Sequence, residues 1–169
     1  VKQHCVELNK RGYLDTWRRP KSVGRPEKAY RLTNKADSLF VELGAEFVLD
    51  LLKNVDKTYG ASAAEKLLFG YFHEIGLKYD KKVKGETLYD KSVSFSKIRD
   101  IEGCLSSCEI DSQGKIKIIE YHSPYRRIVA EYPMIHRMED QMIAKVLNAN
   151  VSRNEEEASV LLKCEFNIS

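Results

Sequence analysis

Arg11-Gly12-Tyr13-Leu14-Asp15-Thr16-Trp17-Arg18-Arg19-Pro20-Lys21-Ser22-Val23-Gly24-Arg25-Pro26-Glu27-Lys28-Ala29-Tyr30-Arg31-Leu32 is the stretch on which the fold of this 169-residue chain turns. Gly12 stands where a helix ends in the left-handed conformation, which glycine adopts without a Cβ clash. Tyr13 to Arg18 alternates in the manner of a strand, and Lys28 to Leu32 resumes it with Tyr30 and Leu32 on one face. Between them, Arg19 to Pro26 concentrates proline, glycine and positive charge, the composition of an exposed loop. Upstream, Cys5 and Leu8 recur at roughly helical spacing from Val1 to Arg11, with Val1 and Val6 beside them. The order helix, strand, basic loop, strand predicts a short helix followed by a β-hairpin.

Downstream the period becomes helical. Thr33 is a suitable N-cap, and Phe40, Leu43, Phe47 and Leu51 follow three or four apart, with Leu52 and Val55 broadening the stripe. Such a stripe must be buried, either between two protomers or against the rest of its own chain. Ser62 to Gly76 reads as a second helix with Ala64, Leu67, Leu68, Tyr71, Phe72 and Ile75 inward, and Lys78 to Lys84 as a charged connector. Leu88 to Ile101 reads as a third, weakened by Ser92 to Ser96. Gly103 to Ile110 and Lys115 to Tyr121 flank Asp111-Ser112-Gln113-Gly114, a hairpin signal. Pro133 to Leu147 is helical with proline in its first turn, and Val160 to Ile168 closes as a strand. The class is α+β. The expected division is a helix–hairpin head over 1–36, a linking or dimerisation helix over 37–58, and an α+β domain over 59–169.

An apolar fraction of 43% against 31% charged residues is a globular balance. No apolar run approaches eighteen residues, so no membrane helix is expected. Val1-Lys2-Gln3-His4 opens directly into helical sequence without the pattern of a secretory leader. A first residue other than methionine predicts a fragment or trimmed product. The four scattered cysteines do not form a disulfide framework, and a cytoplasmic setting is expected.

The net charge is only +3, but its distribution is uneven. Residues 1–35 hold ten Lys/Arg against three Asp/Glu; the remainder holds 18 against 22. A basic head on an acidic body suits double-stranded DNA, although a solvated basic face has the same composition. Lys2, Gln3 and His4 would stand at the N-terminus of a groove-reading helix, where side chains reach base edges. Arg18, Arg19, Lys21, Arg25 and Lys28 would meet phosphates from the hairpin, with Gly24 letting its tip approach the backbone.

These segments resemble a known family. His4-Cys5-Val6-Glu7-Leu8, Arg11-Gly12-Tyr13-Leu14 and Gly24-Arg25-Pro26-Glu27-Lys28-Ala29-Tyr30-Arg31-Leu32-Thr33 are similar to signatures of winged-helix regulators of the ArsR/SufR-like kind, most closely the SufR-type iron–sulfur-cluster repressors. The resemblance implies a homodimeric repressor whose first helix is the recognition helix and whose hairpin is the wing. In that family two further helices precede the recognition helix. Neither is in this sequence, so a partial winged helix is expected.

Further along, His122-Ser123-Pro124-Tyr125, Tyr132-Pro133-Met134-Ile135-His136 and Cys164-Glu165-Phe166-Asn167-Ile168 are similar to the family's three cluster-binding segments. The resemblance places ligand positions at Ser123, His136 and Cys164, so one thiolate remains of three. Clusters depend on thiolates, and no iron–sulfur cluster is expected. His136 and Cys164, with His122, form a candidate zinc set. The alternative is that His136 packs near a helix start and Cys164 is a small core residue. Cys104 and Cys108 are four apart on a strand, with both thiols on one face.

No catalytic set is expected, and the chain reads as a non-enzyme. Glu120, His122 and Ser123 have the residue types of a triad, but neighbours on a strand face opposite ways. The rival to a DNA-binding regulator is a stand-alone ligand- or protein-binding α+β module whose basic head only solubilises it.

Overall fold

The computed structural model describes residues 2–19, 27–33, 35–36, 43–158 and 161–169. The chain divides into two compact units, Val1–Glu42 and Leu43–Ser169.

In the first unit, α1 (Lys2–Lys10) is followed by an antiparallel pair, β1 (Leu14–Arg19) and β2 (Glu27–Leu32), in register from Leu14↔Leu32 to Arg19↔Glu27. Gly12 takes φ +79°, and the Gly12 and Tyr13 N–H groups close the last helical turn on Asn9 and Leu8. Thr33 does not cap the long helix. Its hydroxyl donates to the Gly12 carbonyl (2.6 Å) and its N–H to Tyr13 (3.0 Å), which ties the end of the hairpin back to the turn that began it.

The second unit is α+β. Helices α2 (Leu43–Tyr59), α3 (Ala63–Lys82) and α4 (Leu88–Ile101) precede β3 (Ser106–Ile110) and β4 (Ile116–Glu120). Then come α5 (Arg126–Glu131), α6 (Met134–Leu147), β5 (Val151–Ala158) and β6 (Leu161–Ile168). The strands form one antiparallel sheet in the order β3-β4-β6-β5. Ile118, Phe166 and Ile168 on one face of it join Ile135, Met138, Met142 and Ile143 of α6, and Leu68 and Phe72 of α3, in a single core. Among the described residues no helix is long and apolar enough to cross a membrane.

Several expectations are corrected here. Helix α3 continues through the predicted connector to Lys82 because Tyr79 is buried one turn beyond Gly76 and two beyond Phe72, with its hydroxyl bonded to Glu102. Leu67 points outward, and Tyr71, 48% exposed, leans edge-on against Tyr125 at the rim of the core. The start of α3 is capped by Asp56, whose carboxylate accepts the Ala64 N–H (2.9 Å) and the Tyr132 hydroxyl (3.0 Å), while Ser62 makes no side-chain cap. The serines of α4 are compatible with burial because they are satisfied: Ser92 donates to the Leu88 carbonyl and Ser96 bonds Ser106. Thr87 and Asp90 form a capping box at its start.

Only Cys108 lies on β3. Leu105, at φ +51°, interrupts the alternation, and Cys104 sits buried before the strand.

The stripe of α2 divides. Val48, Leu49 and Leu52 enter the core, whereas Phe47 and Leu51 stay 68% and 52% exposed. Phe40 lies outside the described residues. Helix α2 therefore belongs to the same compact unit as 59–169 rather than forming a segment of its own.

Candidate functional site

The hairpin places two cations directly opposite each other. Arg18 and Lys28 are partners across β1 and β2, so their side chains share a face, and both are exposed. Like charges in that position repel. At the other end of the ribbon the chain uses the opposite arrangement: Asp15 faces Arg31, which donates to it from Nη2 at 2.7 Å and from Nε at 3.1 Å. That guanidinium holds the Asp15 carboxyl below the usual range.

Gln3 and His4 are exposed in the first turn of α1, and Lys2 opens it. Arg19 ends β1 opposite Glu27. Lys21 and Arg25 lie outside the described residues.

In the second unit, a cavity of about 220 Å³ is lined by His122, Ser123, His136 and Cys164, together with Glu120 and Arg153. The end of β4 and the loop after it, α5, the start of α6, β5 and β6 build it. Under the cavity runs a chain of paired charges. Arg99 on α4 is 1% exposed and grips Glu120 with two bonds, Nε to Oε1 at 2.8 Å and Nη2 to Oε2 at 2.7 Å. The same Nη2 reaches Glu139 at 2.7 Å.

The other oxygen of Glu139 accepts from Arg153 at 2.6 Å, and Arg153 also donates to Asp140 (2.9 Å) and Glu155 (3.0 Å). Arg153 lies over the Phe166 ring, 4.7 Å from its centre. Burial pushes the Asp140 carboxyl up, and the bond from Arg153 pulls it back. Such bidentate, fully engaged pairs are the form in which buried charge is tolerated.

Two of the donors that line this cavity are engaged within the protein. Among the described residues no three His, Cys, Asp or Glu side chains are placed to hold one ion. His136 Nδ1 is 3.1 Å from Glu155, and Cys164 Sγ faces Arg153 Nη1 at 3.6 Å. Burial raises the Cys164 thiol to about 12. Cys108 cannot assist, because β4 separates β3 from β6 and two strand spacings are roughly 10 Å.

The triad residues also differ from expectation. His122 and Ser123 lie in the loop beyond β4, so they line the cavity with Glu120 instead of alternating along a strand. Glu120 is committed to Arg99, and Ser123 Oγ accepts the Tyr125 N–H at 3.2 Å. Arg99, Glu139 and Arg153 were not singled out from sequence. The available signal was charge at otherwise inward positions: Arg99 one turn after Phe95, and Glu139 one residue after Met138.

No protein-family model, no curated protein and no solved structure matches the chain.

The raised thiols have a measurable consequence. Cys164 and Cys104 rise to about 12, chiefly through burial, from an ordinary value near 9. The unfolded chain loses these protons first, so the stabilisation is complete below about pH 9 and declines as pH rises towards 12. Urea midpoints should fall over that window. Replacing both cysteines with alanine should flatten the alkaline decline; an unchanged pH profile would refute the assignment.

Proposed function

We propose that the protein is a DNA-binding transcriptional regulator of the repressor type. The helix–hairpin unit contacts double-stranded DNA, and the α+β unit serves as its regulatory body. The observation that carries this reading is the opposed Arg18–Lys28 pair: two cations held on one face of a two-stranded ribbon are relieved by an anion between or above them, and a phosphate backbone supplies one. Gln3 and His4 at the start of α1 suit base-edge contact, and the resemblance of the basic head to winged-helix regulators favours the same arrangement. A two-fold homodimer would match a palindromic operator. With one thiolate at the three positions the resemblance marks, regulation through an iron–sulfur cluster forms no part of this reading.

The test is fluorescence anisotropy with labelled duplex DNA and the intact protein. Arg18→Ala and Lys28→Ala should each weaken binding several-fold on every sequence, because phosphate contacts carry no base information. Gln3→Ala should instead reduce the preference among sequences. If the unmodified protein has no affinity for DNA at low salt, the stand-alone ligand- or protein-binding module is the better reading.

A further inference from the structure

Helix α3 contains two glycines, and its own chain accounts for only one. A Cβ on Gly76 would press on Met142 Cγ at 3.3 Å, so that glycine lets α3 and α6 approach closely. A Cβ on Gly70 would meet nothing within 4 Å among the described residues. Glycine in the middle of an exposed helix weakens it, and close approach of another backbone is its usual compensation. The buried positions Ala64, Leu68, Phe72 and Tyr79 define the core side of α3, and Gly70 falls on the opposite side by helical spacing.

The surface around Gly70 is apolar and self-complementary. Leu67 and Leu77 are 56% and 47% exposed, and Phe69 at its edge is 60% exposed. Lys66 stands four residues before Gly70 and Glu74 four after it, and neither has an ion partner among the described residues. A two-fold axis through Gly70 requires each position to meet its mirror image in the sequence of a copy. Lys66 then meets Glu74 of the copy, twice. Ala63 meets Leu77 of the copy. Leu67 of the copy falls at His73, which lines a groove of about 290 Å³ between α3 and α6.

We propose that the outward face of α3 is a homodimer seam, in which α3 of two copies cross antiparallel at Gly70 with reciprocal Lys66–Glu74 pairs. The second copy is the occupant because the charge pattern complements itself. The seam rests on the reading of the protein as a two-fold pair and not on DNA binding, and the two are measured separately.

Sedimentation of the intact protein over a range of concentrations tests it. The unmodified protein should be a dimer. Gly70→Gln should be monomeric, with a melting temperature no lower than that of the unmodified protein. Lys66→Glu and Glu74→Lys each set like charges against one another twice, and should each weaken dimerisation by about tenfold or more. Mixing those two variants in equal amounts should restore a dimer, now a heterodimer, because every pair across the seam is again of opposite charge. This rescue keeps the test decisive if Gly70→Gln folds poorly. A monomeric unmodified protein would overturn the proposal. So would a dimer that survives these substitutions, one that only Phe47→Glu dissociates, or a mixture of charge variants no tighter than its components.

Discussion

Arg99→Met is expected to destabilise the protein by about 3–5 kcal/mol, the cost of leaving a buried charge without its partner. The reason lies in how the network shares its bonds. Glu120 is 3% exposed and has its two charge-assisted bonds from Arg99. Glu139, by contrast, also receives Arg153. Removal of the Arg99 guanidinium therefore strands Glu120 but leaves Glu139 paired. It follows that Arg99→Met combined with Glu120→Met should recover most of the loss, since replacing a whole ion pair by apolar groups of similar shape is close to neutral. Urea denaturation of the two single variants and the double variant gives the coupling directly. A double variant no more stable than Arg99→Met would mean that the pair is not energetically coupled as its geometry implies.

Phe95→Ala should cost a similar amount, about 3–5 kcal/mol, through lost burial and the cavity left behind. Phe95 is fully buried on α4 and meets the Tyr79 ring of α3 edge-on, with centres 5.2 Å apart at 79°. Arg99 follows one helical turn later on the same side of α4, so the aromatic contact also fixes where the guanidinium points. Phe95→Leu, which keeps most of the apolar volume, should lose no more than about 1.5 kcal/mol. A loss below about 1 kcal/mol for Phe95→Ala would show that the α3–α4 contact closes over the gap or was never tight.

The elements that could be read from sequence are those whose ends carry local signals. Gly12 ended α1, and Asp111 set the β3–β4 turn, where its carboxylate accepts the Gln113 and Lys115 N–H groups. Strand β5 was missed for a physical reason. The face that carries Val151 also carries Arg153 and Glu155, so the alternation that marks a half-buried strand is hidden by charges that are paired in the folded state. The six residues of α5 are too few to show a period. The inward set that the spacing predicts on α3 is too wide at Leu67, which is 56% exposed.

The same distinction holds for the site. Ser123, His136 and Cys164 were marked by the resemblance, and the fold brings them to one cavity with His122. The Arg99–Glu120–Glu139–Arg153 chain beneath them was not legible, because a charged residue in a helical pattern reads as surface until its partner on another element is known. On the hairpin, charge and turn residues indicated basic strands, but the register that sets Arg18 against Lys28 required the structure.

The salt dependence of DNA binding tests the regulatory reading most directly. For the intact protein on a duplex of arbitrary sequence, log affinity should fall linearly with log salt, with a slope near −0.9 for each phosphate neutralised. In Arg18→Ala/Lys28→Ala the slope should become shallower by roughly two such increments, while the fold is unchanged by circular dichroism. Affinity that does not vary with salt, or a slope that the double substitution leaves untouched, would contradict the assignment of this hairpin to DNA.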